Sequence, residues 1–163
     1  MADLLLKAPL KYEPLRKNRW FLRFPDDIGI QVWALKSAAK PKMTITAVEM
    51  DFMNTKTYVS GKYHWNAIPI IIRDFIAPSQ SQALMEWVRL HAESVTGRMG
   101  YNVGAAKNVT IEMVDPTGVV VQKWTCRNCI LTGEVDFGAL DYSEDGVTEL
   151  SFSIQPQDCI LNF

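Results

Sequence analysis

The chain has 163 residues, 48 % hydrophobic and 21 % charged, with a formal net charge of −1. That length suits one domain with room for a core, and no apolar run approaches the ~20 residues of a membrane-crossing helix, so no membrane anchor is expected. The charge balance lacks the basic excess of proteins that grip nucleic acid through phosphates. The start has one short apolar cluster and no small-residue cleavage site, so it does not read as a signal peptide, and the default expectation is cytoplasmic.

Residues 1–17 read as an arm punctuated by Pro9 and Pro14. The basic cluster Lys11, Arg16, Lys17, Arg19 and Arg23 at its end reads as a solvated face or subunit contact rather than a DNA contact. Next, Trp20, Leu22 and Phe24 alternate with Phe21 and Arg23, and Ile28, Ile30 and Val32 alternate with Gly29 and Gln31. With Pro-Asp-Asp between them, these segments predict a hairpin. Residues 37–63 predict a second, longer hairpin after the break Ser37–Met43. Met50, Phe52 and Met53 lie just before its polar bend, where a solvated loop would be polar. Ile70, Ile71 and Ile72 predict a strand buried on both faces, and Pro69 within it points to an edge or a bulge.

The helix is expected over 79–95. Ser79 can cap it and Gln82 complete a capping box, while Leu84, Trp87, Val88 and His91 form one buried stripe. The Gly-rich segment "TGRMGYNVG" ends it. Asp115-Pro116-Thr117-Gly118 predicts a hairpin turn. "CILTGEVDFGALDYSEDG" predicts a short strand and two bends, and Leu150, Phe152 and Ile154 alternate with Ser151, Ser153 and Gln155 as another strand. The tail 157–163 ends apolar. The fold class that fits is mainly β: a single domain, an antiparallel β-sandwich or partly closed barrel with one inserted α-helix and a long protruding hairpin.

Chemistry-bearing groupings are sparse. Cys126-Arg-Asn-Cys129 is one C-x-x-C. A zinc site needs about four ligands, so Cys159 and His64 or His91 would have to complete it. A redox reading needs the first cysteine at a helix N-terminus, whereas these two flank an expected bend. Three cysteines, an odd number, argue against an obligatory disulfide framework, and buried cysteines commonly act as small apolar residues. A small Cys-dependent redox or zinc-binding protein is the alternative from another class. Two histidines assemble no Ser-His-Asp grouping, and His91 reads as a satisfied core residue. Asp26/Asp27 and Glu144/Asp145 sit in bends rather than facing a cleft. The glycines of "GRMGYNVG" precede neither a G-K-[ST] nor a helix start. No catalytic, cofactor-binding or metal residues are assigned, and no enzyme is expected.

A long hairpin carrying apolar residues away from a core invites pairing with another chain. The arm and tail have the same character, which predicts an obligate homo-oligomer; where contact patches differ on its two sides, such an assembly closes into rings or continues as a filament.

At this point the sequence resembles the tail tube proteins of contractile-tailed bacteriophages. "RKNRWFLRF" resembles the family's opening strand. "LKSAAKPKMTITAVEMDFMNTKTYVSGKYHWNAIPIIIRD" resembles its long hairpin, with the pattern F-M-N-x-K-x-x-V-x-G at Phe52, Met53, Asn54, Lys56, Val59 and Gly61. "ALMEWVRLH" resembles its helix, and the stretch from Val109 to Pro156 its closing strands, with Trp124 and Leu140-Asp141-Tyr142 in place. The resemblance covers about residues 15–157 and departs from the family at "CRNCILTG", where the family often carries an aromatic–proline pair. It implies hexameric rings stacked into a tube inside a contractile sheath, with baseplate and tail terminator proteins as further partners. DNA would pass through the lumen without sequence-specific binding. The subunit would assemble in the host cytoplasm and end in the virion tail. Met50, Phe52, Met53, Asn54, Lys56, Tyr58 and Val59 would contact neighbouring subunits, and Cys126, Cys129 and Cys159 are candidates for intersubunit disulfides under oxidising conditions. A baseplate tube initiator or a type VI secretion tube-like ring protein is the alternative within the same fold.

Overall fold

A computed structural model describes residues 12–162; residues 1–11 of the expected arm, with Lys11, and Phe163 of the tail lie outside the described residues. The elements in chain order are β1 (Trp20–Arg23), β2 (Leu35–Ala38), β3 (Met43–Phe52), β4 (Thr55–Trp65), β5 (Ile68–Arg73), α1 (Gln80–His91), α2 (Asn102–Ala105), β6 (Lys107–Val114), β7 (Val120–Asp136), β8 (Glu149–Gln155) and β9 (Asp158–Asn162). Strand pairing runs β1-β6-β7-β8-β5-β2, with β9 also on β7 and β3–β4 forming a separate two-stranded sheet. Every pairing is antiparallel. The architecture is mainly β, a sandwich whose sheet does not close into a barrel.

Strand β7 creates the two layers. Its first part pairs with β6 and β9, and from Ile130 onward it pairs with β8. The corner falls at Asn128, whose φ is 49°, beside a register shift between Lys107 and Val109. Asparagine tolerates this left-handed backbone better than most residues, and a bulge bends a strand without ending it. Its backbone N–H donates to Asn108 Oδ1 (3.0 Å) and its side-chain amide to Gln157 Oε1 (2.6 Å). The expected bend at "CRNC" is therefore a kink within one long strand, and the short strand expected after it is that strand's second half.

The core is built on cross-strand apolar pairs. Ile68, Ile70 and Ile72 of β5 stand opposite Ile154, Phe152 and Leu150 of β8, and all six are buried. Burying each such side chain stabilises by roughly 1.5–3 kcal/mol. Leu22, Val109, Ile111, Cys126 and Cys159 continue the core into the other layer. Trp87 of α1 plugs the interior, edge-on to Phe24 at 5.9 Å and to Phe152 at 6.3 Å, with its indole N–H donating to Ala105 O at 2.9 Å. Burial in β5 alternates, with Ile71 only partly covered, so the strand is not buried on both faces. It also lies inside the sheet between β8 and β2, in unbroken register with β8. Pro69 is tolerated because β2 pairs only from Ile70 onward, and its carbonyl still accepts from Ala39 N–H at 3.3 Å.

Three further expectations are corrected. Strand β1 pairs with β6 rather than with 28–32; Ile28 and Ile30 are buried but lie in a turn and an irregular stretch leading to a 3-10 turn at Val32–Ala34. Helix α1 stops at His91, short of 95. Ala92 turns extended and bridges Met99, and a side chain at Gly100 would collide with the Leu90 carbonyl. The tail is not an extension: 158–162 is strand β9 of the chain's own sheet, held by a two-point Arg127–Asp158 ion pair with both contacts at 2.7 Å.

The start of α1 is capped twice. Ser79 Oγ accepts from Gln82 N–H at 3.4 Å; among the described residues no return bond from the Gln82 side chain completes the capping box. Asp74 supplies the larger cap. Its carboxylate accepts the N–H groups of Phe75 (2.9 Å), Gln80 (2.9 Å) and Ser81 (3.2 Å), and also the Ser81 hydroxyl.

Candidate self-association surface

Among the described residues, none forms a layer packed over the hairpin β3–β4 along most of its length. Every residue of β3 is exposed, and in β4 only Gly61 and Trp65 are partly covered. A sheet of two strands is marginally stable alone in water, so this arm calls for a second body. Its tip is a two-residue loop, Met53-Asn54, closed by the pair Phe52↔Thr55. Met53 has φ 50° and its side chain is 90 % exposed. A left-handed backbone is uncommon for a residue of this size and costs on the order of 1 kcal/mol or more.

The register distributes the apolar side chains unevenly. Between Ile45↔Tyr63 and Ala47↔Ser60 the pairing advances two residues on β3 and three on β4, which is a bulge in β4 around Gly61. There is no room for a side chain at Gly61, where a Cβ would stand 2.8 Å from Thr46 Oγ1 and 3.0 Å from Val48 Cγ2. Without the bulge, Val59 would share a face with Tyr63 and Trp65. With it, alternation puts Val48, Met50, Phe52 and Val59 on one face of the outer half. The opposite face of the outer half carries Glu49, Asp51, Lys56 and Tyr58, with Lys56 ion-paired to Glu49 and at 4.0 Å from Asp51.

In the inner half the polarity is reversed. Met43, Ile45, Tyr63 and Trp65 lie on the same face as the charged outer group, whereas Thr44, Thr46, Lys62 and His64 lie on the other. Trp65 joins this inner patch to the sandwich, meeting Trp124 edge-on at 6.4 Å. The hairpin thus offers an apolar tip on one face and an apolar base on the other. Of the expected contact residues, Met50, Phe52 and Val59 share the tip face, Met53 and Asn54 form the loop, and Lys56 and Tyr58 face the opposite way. Alternation in the sequence separates these groups up to Ser60, but the bulge that reverses the inner half leaves only Gly61 as its mark.

The cysteines assemble differently from the sequence expectation of a bend. Cys126, Cys129 and Cys159 are all buried and free, and Cys126 faces Cys159 across β7–β9, Sγ to Sγ 3.1 Å. Cys126 is pushed up to about 12, first by the Cys129 thiol beside it, with burial adding. Cys159 is pushed up first by Cys126 and then by burial. Thiols held protonated are poor nucleophiles and poor metal ligands. Among the described residues no group of three or more His, Cys, Asp or Glu side chains is placed to hold a metal ion. Because all three thiols are buried, an intersubunit disulfide would first require the sheet to open locally. His91 accepts the Leu131 N–H through Nε2 (3.2 Å), so its proton sits on Nδ1, facing Trp87 O at 3.0 Å. It fastens α1 to β7 and is satisfied there, while His64 is exposed on the hairpin.

No protein-family model matches the chain, and no curated protein matches it in sequence. Solved structures share its fold. A chain of the tube-terminating cap of the anti-feeding prophage aligns with a TM-score of 0.74 at 15 % identity, over 99 % of this chain and 99 % of that chain. A chain of the PVC sheath–tube complex, an extracellular contractile injection system in its extended state, aligns at 0.72 and 14 % identity, over 94 % and 93 %. A chain of the PVC sheath/tube terminator aligns at 0.71 and 13 %, over 95 % and 100 %. The sequence resemblance to tail tube proteins is thus matched by a fold held in common with chains of contractile injection systems.

Proposed function

We propose that this chain is a structural subunit of the tube of a contractile tail or injection particle. Its copies form rings, six to a ring, which stack into a hollow conduit inside a sheath, with baseplate and terminator proteins at the ends. The observation that carries this reading is the hairpin, with apolar residues on opposite faces of its two halves and, among the described residues, no layer packed over either. A projection of that kind is stable when a second copy covers it, and an obligate contact of this sort typically buries ~2,000 Å² or more. The shared fold of tube and terminator assemblies supports the same role. A net charge of −1 suits a lumen through which DNA slides, since each lysine–phosphate contact adds salt-sensitive binding.

A ring that caps or starts the tube is the second reading, favoured by the full-length alignment with a tube-terminating cap. Negative-stain imaging of the purified protein separates the two: long tubes support the main subunit, single rings or short stacks the cap. The Phe52→Asp variant tests the hairpin itself. It is expected to remain folded, with stability within about 0.5 kcal/mol of the parent because the site is exposed, and to form no polymer. Normal polymers from that variant would remove the hairpin from the assembly.

A further inference from the structure

The sandwich has a seam. Strands β1 and β2 are the two ends of the strand path and do not pair with each other. Between them run two adjoining clefts of about 450 and 400 Å³ that share Lys17 and Trp20. The walls are apolar, with Trp20, Leu22 and Leu35 in one cleft and Leu15, Ala38 and Ile111 in the other. The rim is basic: Arg16, Lys17, Lys36 and Lys40 border it, and no carboxylate is among the described residues that line the two clefts. Lys36 pairs with Glu149 and Arg16 lies 3.7 Å from Glu13, but Lys17 has no acidic partner among the described residues.

The opposite character appears in the connection 137–148 between β7 and β8. From Glu134 to Glu149 the chain carries six carboxylates and no lysine or arginine. The connection has no helix or strand, and structureless connections much longer than this are uncommon in a compact domain. It is held by its own turn, with Asp141 accepting the N–H and hydroxyl of Ser143 at 2.9 and 2.8 Å. That turn presents Leu140 at 90 % and Tyr142 at 112 % exposure, beside Asp141, Glu144 and Asp145. Large apolar side chains fully in water, set among carboxylates, complement an apolar floor with a lysine rim.

Resting on the self-association reading above, we infer that the acidic loop 137–148 of one copy seats in the basic β1–β2 seam of the next. Leu140 and Tyr142 enter the clefts, Glu144 and Asp145 meet Lys17 and Lys40, and the free edges of β1 and β2 accept extended backbone. The four residues of β2 span about 13 Å, which the segment 140–145 covers. Loop and seam are different patches, so the contact is head-to-tail and closes into a ring or runs on as a filament. The N-terminal segment is a poorer occupant, because Lys7 and Lys11 outweigh Asp3 in residues 1–11 and would face a basic rim.

The test is charge exchange with a cross-link. Lys17→Glu/Lys40→Glu and Glu144→Lys/Asp145→Lys are each expected to weaken assembly at least tenfold while leaving thermal unfolding of the single copy unchanged. Mixing the two variants is expected to restore assembly, since each loop then finds a seam of opposite sign. A photo-reactive phenylalanine at position 142, in a mixture of isotopically light and heavy protein, is expected to cross-link to residues 15–24 or 35–40 of a second copy. Failure of the mixture to recover, or cross-links confined to the same chain or lying elsewhere, overturns the inference. Tubes that form normally from both variants overturn this contact and leave the hairpin reading standing. A parent protein that stays single-copy under all assembly conditions overturns both.

Discussion

Two antiparallel pairs in this molecule, β5–β8 and β3–β4, are both rich in large apolar residues and have opposite fates. In β5–β8 Ile68, Ile70 and Ile72 stand on one face opposite Ile154, Phe152 and Leu150, and that face is sealed by the second layer and α1. In β3–β4 a single bulge divides them between two faces, and Phe52 remains 70 % exposed. Apolar content alone therefore does not mark a core strand. What decides is whether the pattern lets one covering layer bury all of it. The first pair stabilises the subunit; the second is available to whatever docks on it.

The sharpest way to break that comparison is to damage the first pair. Ile70→Ala removes a fully buried side chain facing Phe152 and is expected to cost about 2–5 kcal/mol in urea unfolding. Assembly should fall only as far as the folded population falls. An Ile70→Ala subunit of unchanged stability that failed to assemble would mean the core face, too, is an interface.

An intermediate effect is expected at the joint that holds α1 over the β5–β8 face. Asp74 is lowered from the usual carboxylate range: burial pushes it up, but the Ser81 hydroxyl and the N–H groups of Ser81, Gln80 and Phe75 outweigh that. Its folded value lies below the unfolded one of about 3.9. Its contribution to stability is therefore fully present above about pH 5 and is lost as pH falls through the folded value. Asp74→Asn is expected to cost about 1 kcal/mol at neutral pH and to flatten the acid limb of a thermal-melting pH profile. A variant whose acid limb matches that of the parent would show that this cap does not carry the pH dependence.

Much of this was legible in the residues. The β3–β4 hairpin, the Asp115–Gly118 turn and strand β8 follow from alternation and turn chemistry, which are local. The stripe Leu84, Trp87, Val88 and His91 placed α1 on the core, though only Leu84 and Trp87 of it are fully buried, and the exposure of Met50, Phe52 and Met53 matches a polar bend preceded by apolar residues. What stayed hidden was long-range. Segment 28–32 alternates like a strand, yet β1 finds its partner in β6, nearly ninety residues on, and no local pattern announces that choice. The tail looked like a free arm because Cys159 and Ile160 carry no sign that Arg127 waits across β7 to hold Asp158. The Asp74 cap stands six residues ahead of Gln80, outside the usual capping spacing. The bulge at Gly61, which settles the faces of the hairpin, needs the partner strand to be seen.

The smallest expected effect is the one that separates the two regions most cleanly, because it should move stability and assembly in opposite directions. Met53 holds a positive φ at the hairpin tip with its side chain in water. Glycine adopts that backbone freely, which relieves about 1–2 kcal/mol of strain, while its greater freedom in the unfolded chain returns about 0.4–1 kcal/mol of that gain. Met53→Gly is therefore expected to leave the isolated subunit more stable by about 0–1.6 kcal/mol, centred on about 0.8 kcal/mol, by urea unfolding. The critical concentration for assembly should rise if, as proposed, a neighbouring copy covers the side chain that is lost. A methionine kept in a strained backbone and exposed to solvent in the single copy has no local reason to be there. If Met53→Gly improved stability and left the critical concentration unchanged, the tip loop would lie outside the interface, and the contact would have to be sought on Val48, Met50 and Phe52 alone.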